Sequence, residues 1–343
     1  MVTIKEIAKS VGVSSATVSR VLNYDATLSI SETKRQAILE TAEALNYLTP
    51  RNRARAQHPP VDTTLPRIAI LHFLKPEEEL ADPYYIGVRM GIEARARANR
   101  MEVVTLYHAD PATIPLEPPD VCGIISLGMH TDDEIDRARQ MSQSLVLADF
   151  APSLSTIFDI VACDPRLAMI HLLQSLVTAG YHRFAFLGDD RPSQNVRYPS
   201  NEERAQTFKE WLTAHDLFNP DHYLLADRLS YQNGYQLACQ LLDGPDRPEI
   251  VIASNDNMAI GLYRAIQERG LRIPQDIAVA SFNDIPAAQF LAPPLTTVHI
   301  PADRIGENAF DLLAEQIAGR DYFKKVTIST EIIWRDSCRR PPE

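Results

Sequence analysis

The chain has 343 residues, of which 45% are apolar; that is long for one domain, and two or three are expected. No apolar run approaches the ~20 residues of a membrane-spanning helix, and the first 30 residues carry polar helical patterns in place of the apolar core of a secretion signal, so a cytoplasmic protein is expected. The net charge of −11 divides into +3 over residues 1–60 and −14 over the remainder, so the basic part is segregated at the N-terminus and the acidic body repels DNA except where that part is presented.

Residues 3–23, TIKEIAKSVGVSSATVSRVLN, read as two short helices joined by a tight turn. Thr3 caps the first, and Glu6 three residues later completes a capping box. Ile4, Ile7, Ala8 and Val11 fall at helical spacing, and Gly12 stands where a glycine ends a helix. Ser14 caps the second helix. At roughly 100° per residue, Val18, Val21 and Leu22 turn toward the first helix, while Ser15, Ala16, Ser19 and Arg20 turn outward. That outer face is small, polar and basic, which suits a helix laid in the major groove. Arg20 has the fork that reads guanine O6 and N7. Ser14, Thr17, Ser19 and Asn23 are of the type that meets phosphate oxygens; Thr3 and Ser31, at neighbouring helix starts, complete this candidate DNA-contacting set. The plain alternative is a small amphipathic helix pair packed on a larger domain.

The same string closely resembles the headpiece of the LacI/GalR family of bacterial transcription regulators, for which VSxxTVSRVLN (13–23) is a highly specific pattern. The resemblance implies sequence-specific DNA binding, with Ser15, Ala16 and Arg20 where that family chooses its operator. A third helix is expected over 31–45, with Ala37, Ile38, Thr41, Ala42 and Leu45 inward, closing a three-helix headpiece over 1–48. Residues 49–66 are read as hinge and linker. Pro50 suits a first helical turn, and Arg51, Arg53 and Arg55 repel one another until phosphates relieve them. In the family this segment is a hinge helix, ordered on operator DNA, whose apolar side chain, commonly leucine, wedges a minor-groove base step. This chain has Ala56 there. A weaker wedge, a smaller kink, a shifted alignment and an ordinary basic linker are the readings left open. Pro59, Pro60 and Pro66 mark the linker.

Strands are expected over 67–73, 103–107, 122–127, 145–149, 182–187, 223–226, 250–254 and 277–281, with amphipathic helices between, for example over 167–179, 202–214, 234–242 and 258–269. Short apolar strands alternating with helices mean parallel sheets covered on both faces. Such sheets bind ligands outside the carboxyl ends of their strands. The resemblance extends over this region and implies an effector-binding and dimerisation domain over 67–343. Its fold is expected to be α/β, two Rossmann-like subdomains of the periplasmic-binding-protein type with a ligand cleft between them. Crossings near Asp164, Pro293-Pro294 and Val326 give an N-subdomain of 67–164 and 294–325 and a C-subdomain of 165–293 and 326–343. PPLTTV (293–298) is another family-typical string.

Polar residues at the strand ends are the effector-site candidates: Asp82 and Tyr84 after the first strand, Asp149, Arg204, Asn255 and Asn283. Carboxylates and amides pair with vicinal hydroxyls, arginine donates, and an aromatic face covers a sugar ring. Each residue alone is equally at home as a cap or turn residue; the resemblance assigns the set to the effector. Leu229 falls where some members carry a ring-stacking aromatic, and Asn283 where many carry aspartate. Asp256 and Asp284 are read as structural. DPYYIGVRMGIE (82–93) and SFNDIP (281–286) are most similar to the evolved β-galactosidase branch of the family and imply galactose or a galactoside as effector.

Enzyme motifs are missing: there is no GxSxG, HExxH, phosphate-binding Gly-Lys-Ser/Thr loop, or GxGxxG after the first strand. Cys122, Cys163, Cys239 and Cys338 are scattered without a CxxC, which argues against structural zinc and disulfides. No cofactor, metal or catalytic residue is expected. The expected partners are double-stranded operator DNA, a small sugar and a second copy of the chain. Leu312, Leu313 and Ile317 are candidates for either the dimer face or the core, and the lack of a leucine-heptad tail points to a dimer. The expected function is a repressor released from its operator by that sugar; the alternative is a regulator of the same family with a different sugar or a co-repressor ligand, and a pure sugar-binding module and a sugar-acting enzyme are the competing classes.

Overall fold

The computed structural model describes residues 3–22, 25, 28, 30–45, 47, 65–107, 120–152, 157–189 and 202–342. Asn23 and the expected hinge residues Arg51, Arg53, Arg55 and Ala56 lie outside the described residues. The chain divides into two compact units, Met1–Thr64 and Leu65–Glu343.

The first unit contains α1 (Ile4–Val11), α2 (Ser15–Leu22) and α3 (Glu32–Ala44). Gly12 ends α1 in the left-handed conformation, φ 70°, which a glycine adopts without steric cost. Ile7, Ala8, Val18, Val21, Ile38 and Ala42 form the core. Fully burying an isoleucine or valine contributes about 1.5–3 kcal/mol, so a core of this size leaves a small margin over chain entropy. Leu45, expected to face inward, is 39% exposed. It follows the last helical residue, so the helical spacing no longer aims it at the core.

The second unit holds β1 (Arg67–His72), α4 (Pro76–Leu80), α5 (Pro83–Ala98), β2 (Glu102–Tyr107), β3 (Gly123–Leu127), α6 (Asp132–Met141), β4 (Leu145–Ala148) and β5 (Asp159–Cys163). There follow α7 (Pro165–Thr178), β6 (Phe184–Asp189), α8 (Glu203–Ala214), β7 (Tyr223–Ala226), α9 (Tyr231–Leu242), β8 (Ile250–Ala253), α10 (Asp256–Glu268) and β9 (Ala278–Asn283). The last elements are β10 (Thr296–His299), α11 (Ala302–Ile317), β11 (Lys325–Ile328) and β12 (Glu331–Ile333). No described helix is long and apolar enough to cross a membrane.

These strands build two six-stranded sheets, ordered β11-β5-β4-β3-β1-β2 and β12-β10-β9-β8-β6-β7. Neighbours in the first sheet are parallel. In the second, β12 runs antiparallel to β10 and the other pairs are parallel. Buried strands such as Gly123–Leu127 and Ile250–Ala253 are apolar apart from Ser126, because helices cover both faces. Strand order reverses beside β1 and beside β6, and a doubly wound sheet opens a crevice at such a point.

The subdomain crossings differ from expectation at two places. β10 pairs with β9, so the chain leaves the second sheet after His299 and not at Pro293-Pro294. β11 pairs with β5 in the first sheet, so the last crossing follows Ile328 and not Val326. The prolines mark the entry to a strand, a position proline tolerates. The short stretch TTV then completes the sheet through its buried β-branched side chains. Leu312 and Leu313 are 4% and 0% exposed and belong to the core between α11 and the first sheet, which removes them from any dimer face. Ile317 is 36% exposed.

Candidate functional site

In the three-helix unit, Ser14 starts α2 as the spacing requires. Its Oγ accepts from the Thr17 backbone N at 3.1 Å and lies 2.8 Å from Thr17 Oγ1. Val18 and Val21 are buried; Ala16 and Arg20 are exposed on the opposite face, with Ser15, Thr17 and Ser19 half-buried beside them. Arg20 Nε donates to Asp25 Oδ2 at 2.6 Å. Thr3, exposed at the start of α1, donates its backbone N–H to Glu6 Oε2 at 2.7 Å. Ser31, also exposed, precedes α3 and accepts from Arg35 N at its carbonyl, 3.0 Å. The outward face of α2 is therefore a small-residue ridge with a guanidinium near its C-terminal end.

In the body, a group of polar side chains gathers from the carboxyl ends of both sheets. Asp82 follows β1 and caps α5, accepting from Tyr84 N at 3.2 Å. Tyr84 is 6% exposed and its hydroxyl donates to Asp149 Oδ1 at 2.9 Å. Tyr85 packs edge-on against Tyr84, with ring centroids 5.1 Å apart, and its hydroxyl lies beside Asp149. Asp149 follows β4 in the left-handed region, φ 54°, a conformation aspartate tolerates better than most residues. Arg204, on the first turn of α8, comes from the other sheet. Its Nη1 donates to Ser254 O at 2.7 Å; Nε and Nη2 donate to the two oxygens of Glu202 at 2.6 and 2.7 Å. Phe282 lies under the guanidinium at 5.9 Å.

The electrostatics of this group follow from burial. Desolvation, followed by the nearby Asp149 charge, pushes Asp82 up to about 6 despite the bond from Tyr84 N. Asp149 is also raised, by burial first, with the two tyrosine hydroxyls and Arg204 opposing. Burial works against the Arg204 charge, but Glu202 outweighs it and holds the guanidinium firmly protonated. Cys163, beside Asp149 and Arg204, is driven up to about 12 by burial and stays a neutral thiol.

The remaining candidates have mixed positions. Asn255 is 3% exposed and its Oδ1 caps α10, accepting from Met258 N at 3.0 Å. Asn283 ends β9 at φ 106° and is 9% exposed. Leu229 lies between β7 and α9, half-buried against the core under α9 and α10. Asp256 is fully buried and accepts from Ser281 Oγ, from Thr297 Oγ1 at 2.8 Å and from Ile285 N at 2.7 Å, tying α10 to β9 and β10. Asp284 is paired with Arg335 at 2.7 Å and His299 at 3.2 Å. Both act as structural ties.

Sequence reasoning did not single out Glu202, the place of Cys163 beside the site, or the residues that bridge the two sheets. Tyr231 Oη and Asn257 Nδ2 both donate to Ala81 O at 3.2 Å, and Arg228 Nη1 meets Glu78 Oε1 at 2.5 Å. A carboxylate two residues before Arg204 at a helix start was a usable sign for Glu202. The bridge between 78–81 and 228–257 carries no local sign.

Residues 3–50 match the family described as bacterial regulatory proteins, lacI family, and residues 173–338 match the periplasmic binding protein-like domain. The chain is 34% identical over 343 residues to the HTH-type transcriptional regulator GalR of Lacticaseibacillus casei, across 98% of this chain and 99% of that one. The chain belongs to the LacI family. A second relative in the LacI family, the lactose operon repressor of Rhizobium radiobacter, is 61% identical over 110 residues, 32% of this chain and 97% of its own length. Among solved structures, the lac repressor dimer bound to operator and the anti-inducer ONPF shares the fold, with a TM-score of 0.66 over 98% of each chain at 22% identity. As a LacI-family protein the chain is a DNA-binding transcription regulator and not an enzyme.

Proposed function

We propose that this LacI-family regulator is a homodimeric repressor released from its operator when a small sugar, galactose or a galactoside, fills the cleft between the two sheets. One observation carries the sugar reading: Asp149 with its two tyrosines from one sheet faces Arg204 from the other. Hydroxyls of one small ring reach both sides of such a pair. Asp82, Asn255, Asn283 and Leu229 are assigned to the same site. The names of the relatives, a transcriptional regulator GalR and a lactose operon repressor, support the choice of sugar.

On the DNA side, Ser15, Ala16 and Arg20 are assigned to base edges, and Thr3, Ser14, Thr17, Ser19, Asn23 and Ser31 to the phosphates around them. Arg51, Arg53, Arg55 and Ala56 are assigned to the hinge and its minor-groove contact. Two headpieces on one dimer match a pseudo-palindromic operator. Sugar binding shifts one sheet against the other and separates the paired hinges.

The test is fluorescence anisotropy on DNA upstream of the gene and its neighbours, at fixed salt because phosphate-dominated binding falls steeply with ionic strength. Galactose, lactose, allolactose, glucose and purines are then titrated in. Release by a galactoside is the expected result. Tight binding that no compound changes removes the galactoside, and a failure to prefer any sequence removes the headpiece assignment.

A further inference from the structure

Arg204 is half of a fork-on-fork pair. A guanidinium carries five N–H donors. Glu202 takes the Nε–H and one Nη2–H, and Ser254 O takes one Nη1–H. One N–H on each terminal nitrogen has no partner among the described residues, and each is available to a ligand hydroxyl. The bidentate carboxylate meanwhile cancels the positive charge that would otherwise draw an anion. Glu202 is itself well placed to do so. Its side chain is 18% exposed and Arg204's is 16%, and its Oε1 also accepts from Arg204 N at 3.1 Å, which locks it at the start of α8.

The surroundings have the same sign. Among the described residues, Asp82, Asp149 and Glu202 stand around this one guanidinium, and the neighbouring Cys163 thiol and the Tyr84 and Tyr85 hydroxyls are neutral. Among the described residues the group is rich in acceptors and donors and has no surplus positive charge. A phosphate or carboxylate brought there meets fixed carboxylates at close range in a poorly solvated crevice, where one unit charge changes affinity about tenfold or more.

We infer that Glu202 sets the charge class of the effector: by neutralising Arg204 it makes the cleft a reader of uncharged polyols and shuts out phosphorylated and acidic sugars. This rests on the reading of the cleft as the effector site. It adds a selection rule that Arg204 alone does not supply, since an unpaired arginine in a crevice favours anions.

The experiment is calorimetry on the full chain and on Glu202→Gln, which keeps the helix-start acceptor and removes the charge. The ligands are galactose, galactose 6-phosphate, galacturonate and inorganic phosphate at constant ionic strength. The wild type is expected to prefer galactose over both acidic sugars by at least about tenfold, and to show no phosphate binding at millimolar concentration. In Glu202→Gln the ratio of neutral to acidic sugar affinity falls at least about tenfold, and Glu202→Ala moves it the same way. A merely structural role for Glu202 lowers all affinities together and leaves the ratio unchanged; that result overturns the inference, as does wild-type binding of galactose 6-phosphate on a par with galactose. If no neutral sugar binds the wild type, the galactoside reading falls by itself. Inorganic phosphate then decides for Glu202: binding gained in both variants upholds its role, and binding in neither refutes it.

Discussion

At the scale of single residues, the arginine proposed to read the operator is already partnered within the headpiece. Arg20 is exposed on α2 and paired with Asp25 at 2.6 Å, an arrangement a guanine edge must compete with. Arg20→Ala is expected to weaken operator binding by about 1–3 kcal/mol and to relax preference at the base pair it reads. Anisotropy on operator and random DNA checks this, and an equal loss on both would make Arg20 a phosphate contact only. Asp82 supplies a pH test. Its carboxyl, raised by burial to about 6, binds its proton more tightly in the folded chain than in the unfolded one. Where the folded state holds more protons, stability falls as pH rises. The contribution is therefore fully present below about 4 and lost by about 6, with a slope of at most about 1.4 kcal/mol per pH unit. Asp82→Asn keeps the cap on α5 and removes the titration. Urea unfolding at pH 4, 5 and 6 is expected to show the variant gaining on the wild type at each step; parallel curves would mean that Asp82 titrates alike in both states.

At the scale of elements, α5 and α11, which cover the first sheet, cross with glycine against backbone. Gly306 on α11 lies against the Val88 carbonyl of α5, and Gly91 of α5 lies against the Asp303 carbonyl of α11. A methyl group at either place collides with backbone, which cannot rotate out of the way. Gly306→Ala is expected to destabilise the body by about 1–3 kcal/mol, the usual range for overpacking, and thermal unfolding measures it. A neutral effect would mean that α5 and α11 slide apart readily. The crossing also explains why α11 belongs to the first sheet although β10 before it belongs to the second. Ile305, Phe310 and Leu313 are buried against the first sheet, and this apolar face needs that surface to cover it.

At the scale of the whole molecule, the two sheets meet through the Arg228–Glu78 pair and through the carbonyl of Ala81, which accepts from Tyr231 and Asn257. A ligand that changes these contacts acts on both sheets at once. Linkage then requires that operator DNA weaken sugar binding by the same factor as sugar weakens operator binding. Arg204→Ala is expected to abolish the response to sugar and leave operator affinity intact. Calorimetry with sugar in the presence and absence of operator, alongside anisotropy for the variant, reads both quantities. Independent, additive affinities would dismiss the two-state mechanism, and unchanged sugar affinity in Arg204→Ala would take that residue out of the site.

What the sequence determined by itself was local. Thr3, Glu6, Gly12 and Ser14 mark helix ends within a few residues of one another, and Val18 and Val21 repeat at a spacing that has one helical solution. Alternating apolar strands and helices likewise permit little besides parallel sheets. The string 13–23 was legible as a family signature because the residues assigned to DNA and those that face the core interleave along one short helix. The tertiary structure decided what depends on distant register. TTV and KVTI are too short to declare a sheet, and β10 and β11 found theirs only by pairing with β9 and β5. Tyr84 reaches Asp149 across 65 residues, and Arg320 reaches the buried Asp159 across 161. Leu312 and Leu313 look alike in sequence whether they face a partner or a core. In each case the deciding energy is burial against a surface made by another part of the chain, and that surface exists only once the sheets have formed.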